Sequence, residues 1–343
     1  MLASLSQVWS LIMQYRPLGS TGVLSSSVGL GCMGMSDMYG PADEGESLAT
    51  IHMALDQGIN LLDTGDFYGM GHNEMLIGQA LKERNRSEVL LSVKFGAMRG
   101  PDRSWLGVDG RPAAVKNALA YSLRRLRTDY VDIYRLARLD PAVPIEDTVG
   151  AIADLVKAGY VRQIGLSEVG AHTLRRAAAV HPIADLQIEY SLVSRSIEAE
   201  ILPTCRELGI AITAYGVLSR GLISGHWSPD HQNAPGDFRT FSPRFSGENL
   251  AHNLSLVEGL RRFAQSRGVS VAQVAIAWVL TRGADIFPLV GARRRDRLEE
   301  ALGAERLQVL DSEWVELEQL MAGAVGDRYP TAQMAHLDSE KRR

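Results

Sequence analysis

Four segments of this chain are built alike. An amphipathic stretch ends in glycine, and a short apolar run begins at once. "IHMALDQG" leads into "INLLD", "AIADLVKAG" into "YVRQIGLS", "ILPTCRELG" into "IAITAY", and "VAIAWVLTRG" into "ADIFPLV". Glycine just past a helix closes it cheaply, because it takes the left-handed conformation without steric cost. The apolar runs are short and bounded, as parallel strands buried on both faces are. Other units keep the rhythm. "EVLLSVKFG" and "DYVDIYRLA" read as strands, "RPAAVKNALAYSLRRLR" and "PIEDTVGAIADLVKAG" as helices, and "HTLRRAAAV" with "DLQIEYS" as a helix and a strand. Pro112 near the start of one helix suits its first turn. Strands centre near Val28, Leu62, Val93, Ile133, Ile164, Leu186, Ile212 and Phe287. Strand and helix alternating along the whole chain make a parallel sheet. Eight such units predict a closed α/β barrel, the (β/α)8 or TIM barrel, in a single domain.

A chain of 343 residues is long enough for that barrel. Its 45% hydrophobic and 22% charged residues supply a large core under a normal surface. The net charge of −4 argues against a nucleic-acid partner. No run reaches the roughly 18–20 apolar residues of a membrane span, so no membrane partner is expected. Cys32 and Cys205 form no CxxC motif and no disulfide framework, which fits a reducing, cytoplasmic setting. No metal-ligand pattern is present. Residues 1–12 lack the basic start of a signal peptide and read as a disordered extension, with Met13 as a candidate true start and 13–343 as the barrel domain.

Two glycine-rich features need separating. "GLGCMG" from Gly29 to Gly34 has the spacing of a dinucleotide fingerprint, but that motif needs a helix opening straight after it. "MSDMYGP" follows instead, so the glycines read as a loop leaving the first strand. The long irregular stretch after the seventh strand, "GVLSRGLISGHWSPDHQNAPGDFRTFSPRFSGE", is different. Loops of that length in a compact domain are usually functional, and this one falls on the face where barrel active sites sit.

The stretch "INLLDTGDFYGMGHNE" starts as a strand and ends in Asp63, Asp66 and Tyr68. Lys94 leaves the next strand of the barrel. A phenol is a poor proton donor at neutral pH, and a nearby ammonium lowers its pKa. A carboxylate holds that ammonium charged and oriented. Asp63, Lys94 and Tyr68 therefore suit a tuned acid/base set. The same spacing also suits a buried Asp63–Lys94 ion pair with Tyr68 as a cap, and spacing alone does not choose. Asp66 reads as a residue that orders the loop.

The sequence resembles the aldo-keto reductase family. The likeness rests on "LDTGDFYGMGHNEMLIGQAL", "VLLSVKFG", "SLRRLRTDYVDIY", "GYVRQIGLSE", "LQIEYSL", "AITAYGVLSRGLISG" and "GARRRDRLEEALGA", in the family's order from Tyr15 to about Tyr329. The resemblance implies a barrel that binds NADPH in extended form and reduces carbonyls reversibly by hydride transfer. It implies Tyr68 as proton donor, Lys94 as the tuning amine and Asp63 as its partner. The family's catalytic His falls on Ala137. Losing such a partner costs about 10²–10⁴ in rate, and Ala leaves a larger, less polar hole beside Tyr68. His72 on the following loop is a conceivable stand-in. Strand alternation is expected to turn Arg135 and Arg138 away from Ala137's direction.

For the cofactor, the resemblance implies Met33 near the first strand's exit and Ser167 with Gln187 on the nicotinamide carboxamide. The family's Asn after that Ser is Glu168 here. Tyr215 resembles the aromatic that stacks on the nicotinamide. Gly216, Leu218, Ser219, Arg220 and Gly221 resemble the loop around the pyrophosphate. Beyond the last strand, Gly291, Arg293, Arg297 and Glu300 resemble the ligands of the 2′-phosphate and adenine, with Ala301 replacing an Asn. A basic cluster there favours NADPH/NADP+ over NADH. Three functions stay open. The first is an NADPH-dependent reductase of aldehydes or ketones, with Tyr68 as acid. The second is a nicotinamide-binding sensor or regulatory subunit with little turnover. The third is an alcohol dehydrogenase, of a pyridoxal-type compound for example, with a pocket widened at Ala137. Substrate contacts are expected from loops around Trp105, Trp227 and residues 228–247.

Overall fold

The computed structural model describes residues 13–341 except 37, 229, 232, 233 and 235. The expected extension over residues 1–12 lies outside the described residues. Twelve strands form in chain order: β1 (Tyr15–Pro17), β2 (Leu24–Ser26), β3 (Gly29–Gly31), β4 (Leu61–Gly65), β5 (Leu90–Phe95), β6 (Ala97–Arg99), β7 (Trp105–Val108), β8 (Val131–Leu136), β9 (Val161–Ser167), β10 (Ile183–Glu189), β11 (Ala211–Tyr215) and β12 (Ile286–Gly291). Eight of them, β3-β4-β5-β8-β9-β10-β11-β12, close into a parallel barrel, the (β/α)8 TIM fold. All eight strands read from the sequence are the barrel staves. Two antiparallel hairpins, β1-β2 and β6-β7, were not anticipated.

Helices α1 (Glu44–Asp56), α2 (His72–Ala80), α3 (Pro112–Leu126), α4 (Ile145–Lys157), α5 (Ala171–Val180) and α6 (Ile201–Glu207) follow successive staves. Next come α7 (Gly247–Ser266), α8 (Val271–Thr281), α9 (Arg295–Leu302) and α10 (Asp311–Met321), then a short α11 (Thr331–Met334). Three of the four helix-closing glycines are left-handed as expected: Gly58 (φ 87°), Gly159 (φ 86°) and Gly209 (φ 66°). Gly283 is not. An added Cβ there would meet the ends of the Asp285 and Arg206 side chains.

Side chains alternate along each stave, so every second residue enters the barrel. At the strand starts the interior is apolar: Leu61, Ile133, Ala184, Ala211, Phe287 and Leu289 pack together. Leu18, at the tip of the β1-β2 hairpin, joins them fully buried and closes that end. One layer higher the interior turns ionic. Arg135 on β8 donates from Nη2 to both carboxylate oxygens of Asp185 on β10, at 2.9 and 2.8 Å, and Thr213 on β11 donates to Asp185. Gly165 on β9 lies between them, where a Cβ would come within 2.8 Å of Arg135 Nε. This corrects one expectation. Arg135 and Ala137 are two apart on a strand and share a direction, so Arg135 faces the interior.

Breaking a buried ion pair from one side leaves an uncompensated charge and costs about 3–5 kcal/mol. Arg135→Met is therefore expected to destabilise the fold by about that much in urea denaturation. Asp185→Leu added to it should recover part of the loss. A double variant no better than the single would show that the pair does not act as a unit.

Candidate active site

Above the ionic layer, Asp63 on β4 and Lys94 on β5 meet inside the barrel. The Lys94 ammonium donates to Asp63 Oδ1, and both side chains are almost fully buried. The other carboxylate oxygen, Oδ2, accepts from Ser92 Oγ and from Gln187 Nε2, each at 2.7 Å. Arg135 Nη1 stands 4.0 Å away. Gln187 reaches Asp63 from β10 on the far side of the barrel, so it serves as an anchor of the ion pair.

Tyr68 opens a tight turn, Tyr68–Gly71, just past β4, where Gly69 and Met70 are both left-handed. Its ring is buried, packs edge-on against Phe67, and lies 5.1 Å from Lys94 Nζ. Burial and the charge of Asp63 push the phenol well above its usual pKa, and Arg138 acts against them. Burial likewise draws the Lys94 ammonium down. The net direction is thus upward, against the downward one expected from Lys94, because desolvation dominates in the enclosed site.

Ala137 follows β8 directly and is buried. The space beside it is not left apolar. Arg138 turns back over it, donating from Nη1 to the Ala137 carbonyl at 2.7 Å and toward Ser167 Oγ at 3.5 Å, and from Nη2 to the Tyr329 hydroxyl at 3.2 Å. Arg138 lies past the strand end, where alternation no longer governs direction, so the expectation that it turns away fails. His72 is no stand-in. Its ring bonds Ser36 Oγ at 2.8 Å and faces Glu44.

Glu168 has a role that its Asn-like position does not suggest. It is left-handed (φ 53°), a strained conformation for a non-glycine residue. Its carboxylate accepts from Arg328 at 2.8 and 2.5 Å, Tyr215 OH at 2.7 Å, Ser339 Oγ at 2.7 Å and Glu189 N at 3.0 Å. Burial opposes ionisation, but the Arg328 charge and these donors carry the carboxyl down to about 2. Since Tyr215 donates to Glu168, and Tyr329 accepts from Arg138, the 3.0 Å contact between the two phenols has Tyr329 as donor. Burial pushes Tyr329 up, yet Arg220 and Arg138 outweigh it and bring it below its usual value.

The residues read as cofactor ligands divide into two groups. Met33 lies in the turn after β3, and Ser167 ends β9. Tyr215 ends β11, and the Gly216–Gly221 loop follows it with Gly216, Ser219, Arg220 and Gly221 all at positive φ and Leu218 between them. Arg220 donates from Nη2 to Glu189 at 3.0 Å, and its ring-facing guanidinium lies 4.4 Å from the Tyr329 centroid. Its Nη1 is buried without a partner. That orphaned donor in a loop of turned-in backbone fits an anionic group such as a pyrophosphate. The second group lies beyond β12. Gly291 ends that strand exposed, and an added Cβ would meet open space. Arg293 donates to the Pro41 carbonyl at 3.1 Å, whereas Arg297 contacts Glu300 at 3.0 Å. His226 sits against both Arg297 (2.6 Å) and Glu300 (2.9 Å). A cavity of about 810 Å³ opens at this basic helix start, lined by Pro41, Glu46, Arg293, Arg294 and Arg295.

Sequence reasoning set Arg138 aside and missed His226, Arg328 and Tyr329. "GDRYP" sits past the last barrel helix, and nothing local marks it as part of a site. Trp227 is packed against Phe245 (4.8 Å) and His231 (4.0 Å), while Trp105 stands exposed on the β6-β7 hairpin. Among the described residues no cluster suited to a metal ion occurs, and no helix is long and apolar enough to cross a membrane.

The chain matches the aldo/keto reductase family, a class of oxidoreductases that act on carbonyl substrates, over residues 27–322. The chain belongs to that family. It is 38% identical over 321 residues to the aldo-keto reductase yakc [NADP(+)] of Schizosaccharomyces pombe, covering 92% of this chain and 94% of that one. It is 39% identical over 317 residues to a probable aldo-keto reductase of Glycine max, covering 91% and 90%. Among solved structures it resembles a glycerol dehydrogenase of Gluconobacter oxydans, with a TM-score of 0.83, 28% identity and coverage of 92% and 98%. The holo form of an aldo-keto reductase of Bacillus halodurans gives a TM-score of 0.74, 27% identity and the same coverage.

Asp66 follows β4 directly, two residues before Tyr68. Its Oδ2 accepts from Gly96 N at 3.4 Å, and its Oδ1 is buried without a partner. Burial, reinforced by nearby Glu74, raises its carboxyl from 3.8 to about 7. The folded state thus binds a proton that the unfolded chain releases. Its contribution is fully present below about pH 4 and is lost as pH rises through about 7, by roughly 4 kcal/mol. Asp66→Asn should flatten this slope, raising stability at pH 8 relative to the parent and leaving it near parity at pH 4. Parallel pH–stability curves for the two proteins would contradict the assignment.

Proposed function

We propose that this protein reduces an aldehyde or ketone with NADPH, and that Tyr68 delivers the proton. The carrying observation is the enclosed Asp63–Lys94 pair, with the Tyr68 ring 5.1 Å from the ammonium. Tyr68 stays protonated in the resting site, as a proton donor must. When a carbonyl oxygen gains negative charge, the phenol can transfer its proton to it. The phenolate left behind faces Lys94 and the field of Arg138, in a setting where such charges interact strongly. Asp63 keeps Lys94 charged and in place, and Ser92 and Gln187 keep Asp63 in place.

The residues fit NADP(H). Arg220, with its unpartnered Nη1, and the left-handed turn at Ser219 and Arg220 would hold the pyrophosphate. Ser167 would hold the carboxamide and Tyr215 the ring, with Met33 nearby. Gly291, Arg293 and Arg297 would hold the 2′-phosphate, and Glu300 the adenine. Gln187, already donating one N–H to Asp63, keeps its second N–H and its carbonyl oxygen for a ligand. When bound, the nicotinamide supplies the hydride. The name of the yeast relative, which specifies NADP(+), supports the same choice.

Tyr68→Phe is expected to cut aldehyde-dependent NADPH oxidation by about 10²-fold or more, while fluorescence titration still shows NADPH binding. Full activity in the Phe variant would remove Tyr68 from the mechanism. Tight NADPH binding by the parent, with no turnover across an aldehyde panel, would instead mark a binding protein. Arg297→Ala should narrow the NADPH-over-NADH ratio in kcat/KM about tenfold, the worth of one charged hydrogen bond. An unchanged ratio would place the 2′-phosphate elsewhere.

A further inference from the structure

The chamber above Tyr68 holds more cations than the fold can pair. Arg138, Arg220, Arg244 and Arg328 converge there. Three carboxylates pair with them, Glu168, Glu189 and, at the rim, Glu340, while Asp327 adds a longer-range charge at Arg244. Glu168 already accepts five hydrogen bonds, more than the roughly four sites a carboxylate offers. Glu189 accepts from Ser194 at 2.8 Å, Arg220 at 3.0 Å and Arg244 at 3.4 Å, with Arg328 a further 3.6 Å away. Glu340 is taken by Arg328 at 2.8 Å.

Arg138 is left over. Its hydrogen-bond partners are all neutral, the Ala137 carbonyl, Ser167 Oγ and the Tyr329 hydroxyl, and it feels the Glu168 charge only at longer range. No ion pair joins it to a carboxylate among the described residues. Arg138 is half-buried at the mouth, and a guanidinium partly withdrawn from water is stabilised when an anion meets it. Its place narrows what that anion is. Arg138 is next to Ala137, beside Ser167, and its charge is felt at both Tyr68 and Lys94. The phosphates of the cofactor have Arg220 and the basic start of α9 for their own, on other loops. What remains opposite Arg138 is the substrate. Ala137, with only a methyl group, leaves that approach clear.

We propose that Arg138, oriented by the Tyr329 hydroxyl, binds a carboxylate on the substrate, so that the preferred substrates are aldehydes or ketones that are also acids. The proposal deepens the reductase reading and rests on it for the reaction, though carboxylate binding can be measured without turnover. A guanidinium matches a carboxylate fork to fork, which gives orientation as well as affinity. The carbonyl would thereby be aimed at Tyr68 by a charge that no neutral aldehyde can use.

The experiment compares matched pairs with NADPH: succinic semialdehyde against butanal, and 4-carboxybenzaldehyde against 4-methylbenzaldehyde. The acid of each pair is expected to win by about 10- to 100-fold in kcat/KM, mostly through KM, as a hydrogen bond to a charged group allows. Arg138→Leu should collapse that ratio toward one, and Arg138→Lys should keep part of it. Benzoate, against benzyl alcohol, is then titrated into the NADP+-loaded protein by calorimetry, and the Leu and Lys variants are tested for NADP+ binding as a check on folding. Benzoate binding that is lost in Leu and partly kept in Lys supports the site even if no aldehyde is reduced, in which case only the reductase reading falls. Neutral aldehydes reduced as well as their acids by the parent would overturn the proposal and leave the reductase standing. Equal loss on acid and neutral substrate in both variants would also overturn it.

Discussion

An ammonium and a carboxylate shut inside a closed sheet govern this molecule. Taking Lys94 and Asp63 out of water costs several kcal/mol per ion unless geometry and hydrogen bonds repay it. Here repayment comes from three staves at once: Lys94 and Ser92 on β5 and Gln187 on β10, all converging on Asp63 of β4. Only barrel closure brings β4 and β10 to opposite walls of one narrow space. Beneath them Arg135 and Asp185 add a second pair, so the interior stays balanced in charge. The phenol at the mouth inherits its protonation from this arrangement. It is buried, it faces a carboxylate, and the nearest ammonium is already committed.

The mouth is organised on the opposite principle. Cations there outnumber carboxylates, and the chain's last segment is what collects them. Arg328 reaches Glu168 across 160 residues of sequence, Ser339 caps the same carboxylate, and Asp338 accepts from Gly170 N at 2.9 Å. These bonds lay the C-terminal segment across the β9 exit and carry Tyr329 in among Arg138, Arg220 and Tyr215. A residue strained at Glu168 is held by what it binds. Surplus positive charge next to a neutral, protonated phenol is a setting for developing negative charge and for anionic ligands.

Much of this was legible in the chain itself. The strand centres hold because an apolar run after a helix-closing glycine has few other uses in an α/β fold. Tyr68, Lys94 and Asp63 were legible because each lies at or near a stave's exit, where spacing along the strand translates into height in the barrel. The pKa direction of Tyr68 was not, because desolvation depends on everything that surrounds the ring. Arg138 escaped for a different reason. Strand alternation ends with the strand, and a side chain one residue past it can fold back. Gln187 was read as a cofactor ligand, and its bond to Asp63 depends on the barrel's diameter, which no local pattern states.

By itself, then, the sequence determined the alternation of helix and strand, the number of staves and the residues at their exits, because those follow from local periodicity and from glycine's backbone freedom. Tertiary structure alone decided which charges find partners. Glu168 takes Arg328, Asp185 takes Arg135, and Arg138 is left to neutral groups because pairing depends on distances between segments far apart in the chain. Charge balance is a property of a three-dimensional neighbourhood, and it comes into being only when the barrel closes and its last segment settles over the mouth.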